Sequence, residues 1–196
     1  MKQIITLLLS SIIIQGCDCQ SVDLNEYNKK RVKITKLSMT ALAGWGVTNL
    51  IYSGVSIGSA KRSDKYFYRM NLIWGSVNLS LGILGSYLAK NKDGLSYYES
   101  LKKQSTVEKI FLFNAGLDVA YVVGGFYIKE KLNNNIVNAE KNKGHGESLI
   151  LQGSALFFFD GILFLIHQGN GKQLYKFADK IQIGSTGNGV GFLVKL

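Results

Sequence analysis

The sequence predicts an all-α membrane protein: a four-helix transmembrane bundle with a short C-terminal β-hairpin. Three observations carry that reading. Four runs, 37–60, 71–89, 110–128 and 148–167, are uncharged or nearly so. Each is about 19 to 24 residues, the length a hydrocarbon core asks of a helix. The charges gather in blocks between the runs, "KRSDKYFYR", "KNKDGLSYYESLKKQSTVEK" and "KEKLNNNIVNAEKNKGHGE". Finally, each run carries one strongly polar side chain near its middle: Asn49, Asn78, Asp118 and Asp160. Mean hydropathy is only +0.10, so segmentation rather than the average supports the membrane reading.

The first element in chain order is a signal peptide, residues 1–19. Lys2 precedes an apolar run from Ile4 to Ile14 that is too short to span a bilayer. Cleavage before Gln20 competes with a lipobox reading of "IQGC", in which Cys17 is acylated. Cys17 and Cys19 are the only two cysteines, so cleavage before Gln20 leaves none for a disulfide or a thiolate metal site. A polar entry segment, 20–36, leads into the transmembrane domain, 37–167. The short first linker makes the first two spans an antiparallel hairpin. The second linker holds "LSYYESLKKQ", an interfacial helix by its tyrosines. The polar tail, 168–196, ends in "IQIGSTGNGVGFLVKL", where alternating apolar residues flank a turn and predict the hairpin.

A net charge of +10 raises the possibility of nucleic acid. The Lys and Arg residues flank apolar spans, however, and no basic stripe carries interleaved aromatics, so the bilayer surface is the expected partner and nucleic acid is not. A membrane-protein partner or a second copy of the chain is the other expected contact. A cleaved signal and four spans put both termini on the non-cytoplasmic side of the cell envelope, whereas the balance of Lys and Arg favours the opposite orientation.

The mid-depth polar residues extend into helical stripes. Trp45, Asn49, Tyr52 and Ser56 form one on the first span, with Gly54 and Gly58 as a close-approach pair. Asn71, Gly75, Asn78, Gly82 and Gly85 share a face of the second span. Asn114, Asp118, Tyr121 and Gly125 do so on the third, and Gly153, Asp160 and His167 on the fourth. Small and polar residues turned inward are how membrane helices pack, because lipid supplies no hydrophobic reason to associate. "WGVTN" (Trp45–Asn49) recurs 29 residues later as "WGSVN" (Trp74–Asn78).

Asn49, Asn78, Asn114, Asp118, Asp160 and His167 are therefore the candidate intramembrane site, and Gly54, Gly58, Gly75, Gly82, Gly125 and Gly153 the candidate packing contacts. Two functions compete. In one the layer is structural glue in a non-enzymatic membrane component, an accessory or assembly subunit. In the other it is the site of a small transporter or ligand-binding bundle that uses Asp118 and Asp160. Glue requires direct side-chain contact, whereas a site requires a polar cavity touching both aspartates. Should the two carboxyls approach, a proton held between them lets them bond without any basic partner.

Enzyme readings fail on residue type. Leu117 before Asp118 and Phe159 before Asp160 depart from the Gly-x-Gly-Asp and Tyr-Asp pattern of aspartyl intramembrane proteases. His145 and His167 stand alone, with no HExxH or Glu-x-x-His, so no metal, other cofactor or catalytic residue is expected. His167 reads as an interfacial end-cap. The chain from "GWGVTN" through "FNAGLD" to "LQGSALFFFDGILFLIH" resembles a family of bacterial integral membrane proteins with no assigned function. That resemblance implies the four spans and nothing about mechanism.

Overall fold

The computed structural model describes residues 23–131 and 135–176 in full, and the backbone of 177–179, 181–186 and 189–194. The expected signal peptide lies outside the described residues.

Four helices make the fold: α1 (Leu24–Ser56), α2 (Ser63–Leu88), α3 (Tyr97–Glu130) and α4 (Ile136–Asp179). The Asp23 carboxylate caps α1 by accepting from the Asn25 and Glu26 amides. Ser96 and Glu99 form a capping box that starts α3. Three of the helices run well past the apolar segments. α1 takes in the entry segment from Leu24, α3 absorbs the tyrosine-rich linker, and α4 begins inside the third linker and continues into the tail. Beyond α4 the backbone of β1 (Ile181–Thr186) pairs antiparallel with β2 (Gly189–Val194). The side chains of that tail and its turn residues, 187–188, lie outside the described residues, and the bundle is all-α without it.

Among the described residues α3 and α4 are the helices long and apolar enough to cross a membrane by length and composition. Of the four expected spans, the third and fourth meet that measure and the first and second do not. Ser, Thr, Asn and Gly dilute the apolar runs of α1 and α2.

α1 packs on α2 and α3 on α4, and contact between α2 and α4 joins the two hairpins. Each hairpin crosses on a pair of glycines. A Cβ added to Gly46 would lie 2.7 Å from the Gly75 carbonyl oxygen, and one added to Gly75 would lie 2.9 Å from that of Gly46. Gly125 and Gly146 stand in the same relation, at 2.8 and 2.5 Å. The Trp-Gly repeat thus places a bare backbone on each side of one crossing. Gly82 lies against Met39 and Ala43, and Gly153 against the Asp118 carbonyl.

Two expectations for α1 are corrected by this crossing. Gly54 and Gly58 have open space around them, and Tyr52 points outward against Tyr68. The buried stripe is Ser38, Leu42, Gly46, Asn49 and Ser53, one residue out of phase after Asn49. Contact with Gly75 fixes which face of α1 turns inward, and spacing within α1 alone does not contain that information.

Burial is inverted relative to a water-soluble bundle. Among the described residues sixteen buried side chains are polar or charged and eight are hydrophobic, so exclusion of apolar surface from water is not what fills this interior. The large apolar residues face out instead, among them Leu37, Ile51, Leu81, Leu84, Phe113, Val123, Phe158 and Leu165. Every helix contributes to that outer surface.

Candidate functional site: a polar layer in two halves

α4 is the element that organises the layer. Its inward face carries Ser148, Gln152, Leu156, Asp160, Leu163 and His167, spaced as one helical stripe. Gln152 binds the first half. Its Nε2 donates to Asn49 Oδ1 and to Asn71 Oδ1, each at 2.6 Å, and its Oε1 accepts from Trp45 Nε1 at 3.0 Å. Asn78 Nδ2 reaches the same oxygen at 3.5 Å, and Ser148 Oγ donates to Asn71 Oδ1 at 3.0 Å. Asn49 and Asn71 each turn the amide nitrogen back onto their own helix, at the Trp45 and Phe67 carbonyls. This half is a closed network in direct contact, joining three helices.

Asp118 and Asp160 form the second half. α3 and α4 meet here, and the two carboxyls lie within hydrogen-bonding reach of each other. A bond between two carboxyls requires a proton on one of them. Without it, Asp118 Oδ2 is buried with no partner. Asp118 is 3% exposed and Asp160 6%.

Unlike the amide network, this pair borders a cavity of about 450 Å³. The backbones of α2 and α3 do not approach each other closely among the described residues, and the cavity lies between them. Trp74, Asn78, Asn114, Tyr121, Phe159 and the two aspartates surround its mid-depth end. From there it runs past Leu81, Leu84 and Ile110 to Thr35, Leu88 and Val107. Along α3, Tyr121 to Val107 is about 21 Å at helical rise. The mid-depth end also holds an unpartnered donor, the buried indole Nε1 of Trp74, whose ring meets Tyr121 edge-on at 5.1 Å. Among the described residues its walls carry no Lys or Arg.

His167 belongs to neither half. It is fully buried and stacked on Phe111 at 5.4 Å, so the residue expected as an end-cap is covered by neighbouring helices rather than exposed at a span end. Burial here follows from the helix overruns, which pack the start of α1 and α3 against the end of α4. In that end cluster Tyr27 donates to Gln104 Oε1 at 2.6 Å, and Gln104 Nε2 donates to the His167 carbonyl and to Glu108. Tyr175 donates to Glu108 at 2.7 Å and Asn28 to Ser100 at 2.8 Å. Burial pushes the Tyr27 and Tyr175 phenols well above the ordinary tyrosine range, and the bond from Tyr175 to Glu108 adds to its rise. Burial likewise pulls the Arg31 guanidinium down.

Of the six site candidates, Asn49 and Asn78 fall in the amide network, Asn114, Asp118 and Asp160 on the cavity with Asn78 touching both, and His167 in the end cluster. Gln152, the hub, was missed. A glutamine inside "SLILQGSALFFFDG", eight residues before Asp160, was the available signal.

A family model matches residues 41–161, described as a family of unknown function (DUF6992), and the chain belongs to that family. The match takes in the amide network and both aspartates. No curated protein and no solved structure matches the chain.

Proposed function

We propose that this member of the family is a non-enzymatic integral membrane protein whose four helices all cross the bilayer, and that it binds a membrane-partitioning ligand between α2 and α3. The observation that carries the reading is the cavity of about 450 Å³ touching both Asp118 and Asp160. That volume falls within the range of small-ligand pockets. An aspartate at mid-bilayer costs at least about 2.5–3.5 kcal/mol, and the amide network already supplies register without it. Structural glue accounts for Asn49, Asn71, Asn78, Ser148 and Gln152, but not for a carboxyl pair beside open space.

The inverted burial supports four spans although α1 and α2 are less apolar. Ser38, Gly46, Asn49 and Ser53 of α1 and Asn71, Gly75, Asn78 and Gly82 of α2 face the interior. Ile51, Val55, Ile73, Leu81 and Leu84 face out, and the outward Thr48, Ser76 and Ser80 satisfy their hydroxyls on carbonyls of their own helix. Both termini then lie on one side of the membrane, with the end cluster at the head-group level beside them.

The test combines two measurements on the full chain. Carbonate at pH 11 should leave the protein in the membrane pellet. In an uncharged detergent, the neutral fluorophore N-phenyl-1-naphthylamine should bind, and Leu84→Trp, which fills the cavity wall, should weaken binding at least tenfold. Release by carbonate contradicts the membrane reading. Equal binding by Leu84→Trp contradicts the pocket.

A further inference from the structure

We infer that the ligand is a lipophilic organic cation, seated with its charge on the Asp118–Asp160 pair and its apolar body along the α2–α3 cleft. The inference rests on the ligand-binding reading above and adds the chemistry of the ligand.

Charge comes first. One proton shared between two carboxyls leaves the pair with one negative charge. A buried charge requires a partner, because its desolvation is otherwise uncompensated. The cavity walls provide none, since no Lys or Arg lines them. The nearest buried cation, Arg31, is engaged in the end cluster, where it donates to the Ser100 carbonyl. Asn78 and Asn114 bring dipoles but no charge. The missing positive charge is therefore one that an occupant brings. A cation completes the site to neutrality with the shared proton in place, so binding needs no proton release.

The surroundings select the kind of cation. Trp74, Tyr121 and Phe159 stand around the carboxyls, and aromatic faces attract weakly hydrated cations. Calcium takes six to eight oxygen ligands and magnesium keeps an octahedral shell, whereas the two carboxyls and two amides hold six oxygens, two of them engaged by the proton between the carboxyls, which leaves four. An anion, including a fatty acid or a phosphate ester, would meet the carboxyl pair with no positive group to receive it. Depth gives the last constraint. The charged end of the cavity is at the middle of the apolar segment 110–128 of α3, and its apolar length extends toward that segment's start. A phospholipid standing in its leaflet has the opposite arrangement, with its head at the surface. A cation soluble in the hydrocarbon layer reaches this site directly through the α2–α3 opening.

The test uses two ions of one shape and opposite charge. Full-length protein in an uncharged detergent is dialysed against tetraphenylphosphonium or tetraphenylborate, and both are repeated with the Asp118→Asn/Asp160→Asn variant after its melt confirms folding. The wild type should hold the phosphonium at least tenfold more tightly than the borate, and the double variant should lose that preference. Equal binding of both ions overturns the inference, as does a preference that survives in the variant. Complete displacement of the phosphonium by 150 mM sodium chloride would assign the site to an inorganic cation and overturn it too. If the neutral naphthylamine binds at the Leu84 wall while the phosphonium does not, the pocket stands and the cationic ligand falls. If no probe binds, both fall.

Discussion

The two halves of the polar layer use similar side chains at similar depth and reach opposite results. Around Gln152 the donors find acceptors on a neighbouring helix or on their own backbone, and the side chains meet in direct contact across three helices. Around Asp118 and Asp160 the carboxyls have each other, and the space beside them stays open. Backbone approach underlies the difference. Gly46 against Gly75 draws α1 and α2 together, and Gly125 against Gly146 does so for α3 and α4. Between α2 and α3 no such glycine pair exists among the described residues, α4 packs against both, and Leu81, Leu84, Ile110 and Leu117 line the space left between them. In this bundle polar residues meet directly where glycine lets backbones approach, and border open space where the backbones stay apart.

The largest expected effect comes from removing the close approach itself. Gly46→Val places a branched side chain where even a Cβ would sit 2.5 Å from the Leu79 amide nitrogen. Both partners there are backbone, so the helices must separate, and a loss of about 3 kcal/mol is expected, the upper end of overpacking. Urea or thermal unfolding in detergent measures it. An unchanged midpoint would show that α1 and α2 are not held at this crossing.

Next is the hub. Gln152→Leu strands Asn49 Oδ1 and Trp45 Nε1 and leaves Asn71 Oδ1 with Ser148 alone. Interhelical bonds in membranes average about 0.6 kcal/mol, but a stranded buried group costs about 1–3 kcal/mol, so about 2 kcal/mol is expected. A loss below a few tenths would place the network's stability elsewhere.

The end cluster gives a pH dependence. The folded-state values of Tyr27 and Tyr175 lie above the ordinary 10.0, so the folded protein retains protons that the unfolded chain releases. Their contribution is fully present below about pH 10 and is lost as pH rises beyond it. Unfolding midpoints should fall between pH 9.5 and 11, and the fall should be smaller in Tyr27→Phe/Tyr175→Phe. An identical fall in the variant would remove the cluster from the account.

Smallest, and opposite in sign, is the effect of filling empty glycines. Gly116 and Gly161 have nothing within 4 Å of an added Cβ. Alanine at either should stabilise by up to about 1 kcal/mol through helix propensity alone. Destabilisation would mean that a partner chain covers this face.

Much of this contrast is legible in the sequence. Asp118, Asp160, Asn49 and Asn78 stand out because strongly polar residues are rare in apolar runs, and the 29-residue Trp-Gly repeat sets Asn49 and Asn78 in equivalent places, although the Gly46–Gly75 crossing is seen only in the fold. The helix overruns are not legible. "LNEYNKKRVKITK" and "LSYYESLKKQ" are charged enough to read as linkers, and their pairing through Tyr27, Asn28, Ser100 and Gln104 is a tertiary event. That pairing is also why His167 is buried. Gly54 and Gly58 misled because a spacing of four names a face without saying whether a partner occupies it. The cavity was least legible, since it depends on two helices, α2 and α3, whose backbones stay apart.

The most direct test of the division is a pair of melts in uncharged detergent, with cation binding measured on the same samples. Asp118→Asn/Asp160→Asn should melt within about 1 kcal/mol of wild type, because amides keep the shape and the hydrogen bond between the two side chains, and should lose the preference for tetraphenylphosphonium over tetraphenylborate. Gln152→Leu should do the reverse, losing stability and keeping that preference. If the double aspartate variant is as unstable as Gln152→Leu and no other property separates them, the layer is one structural element and the division is wrong.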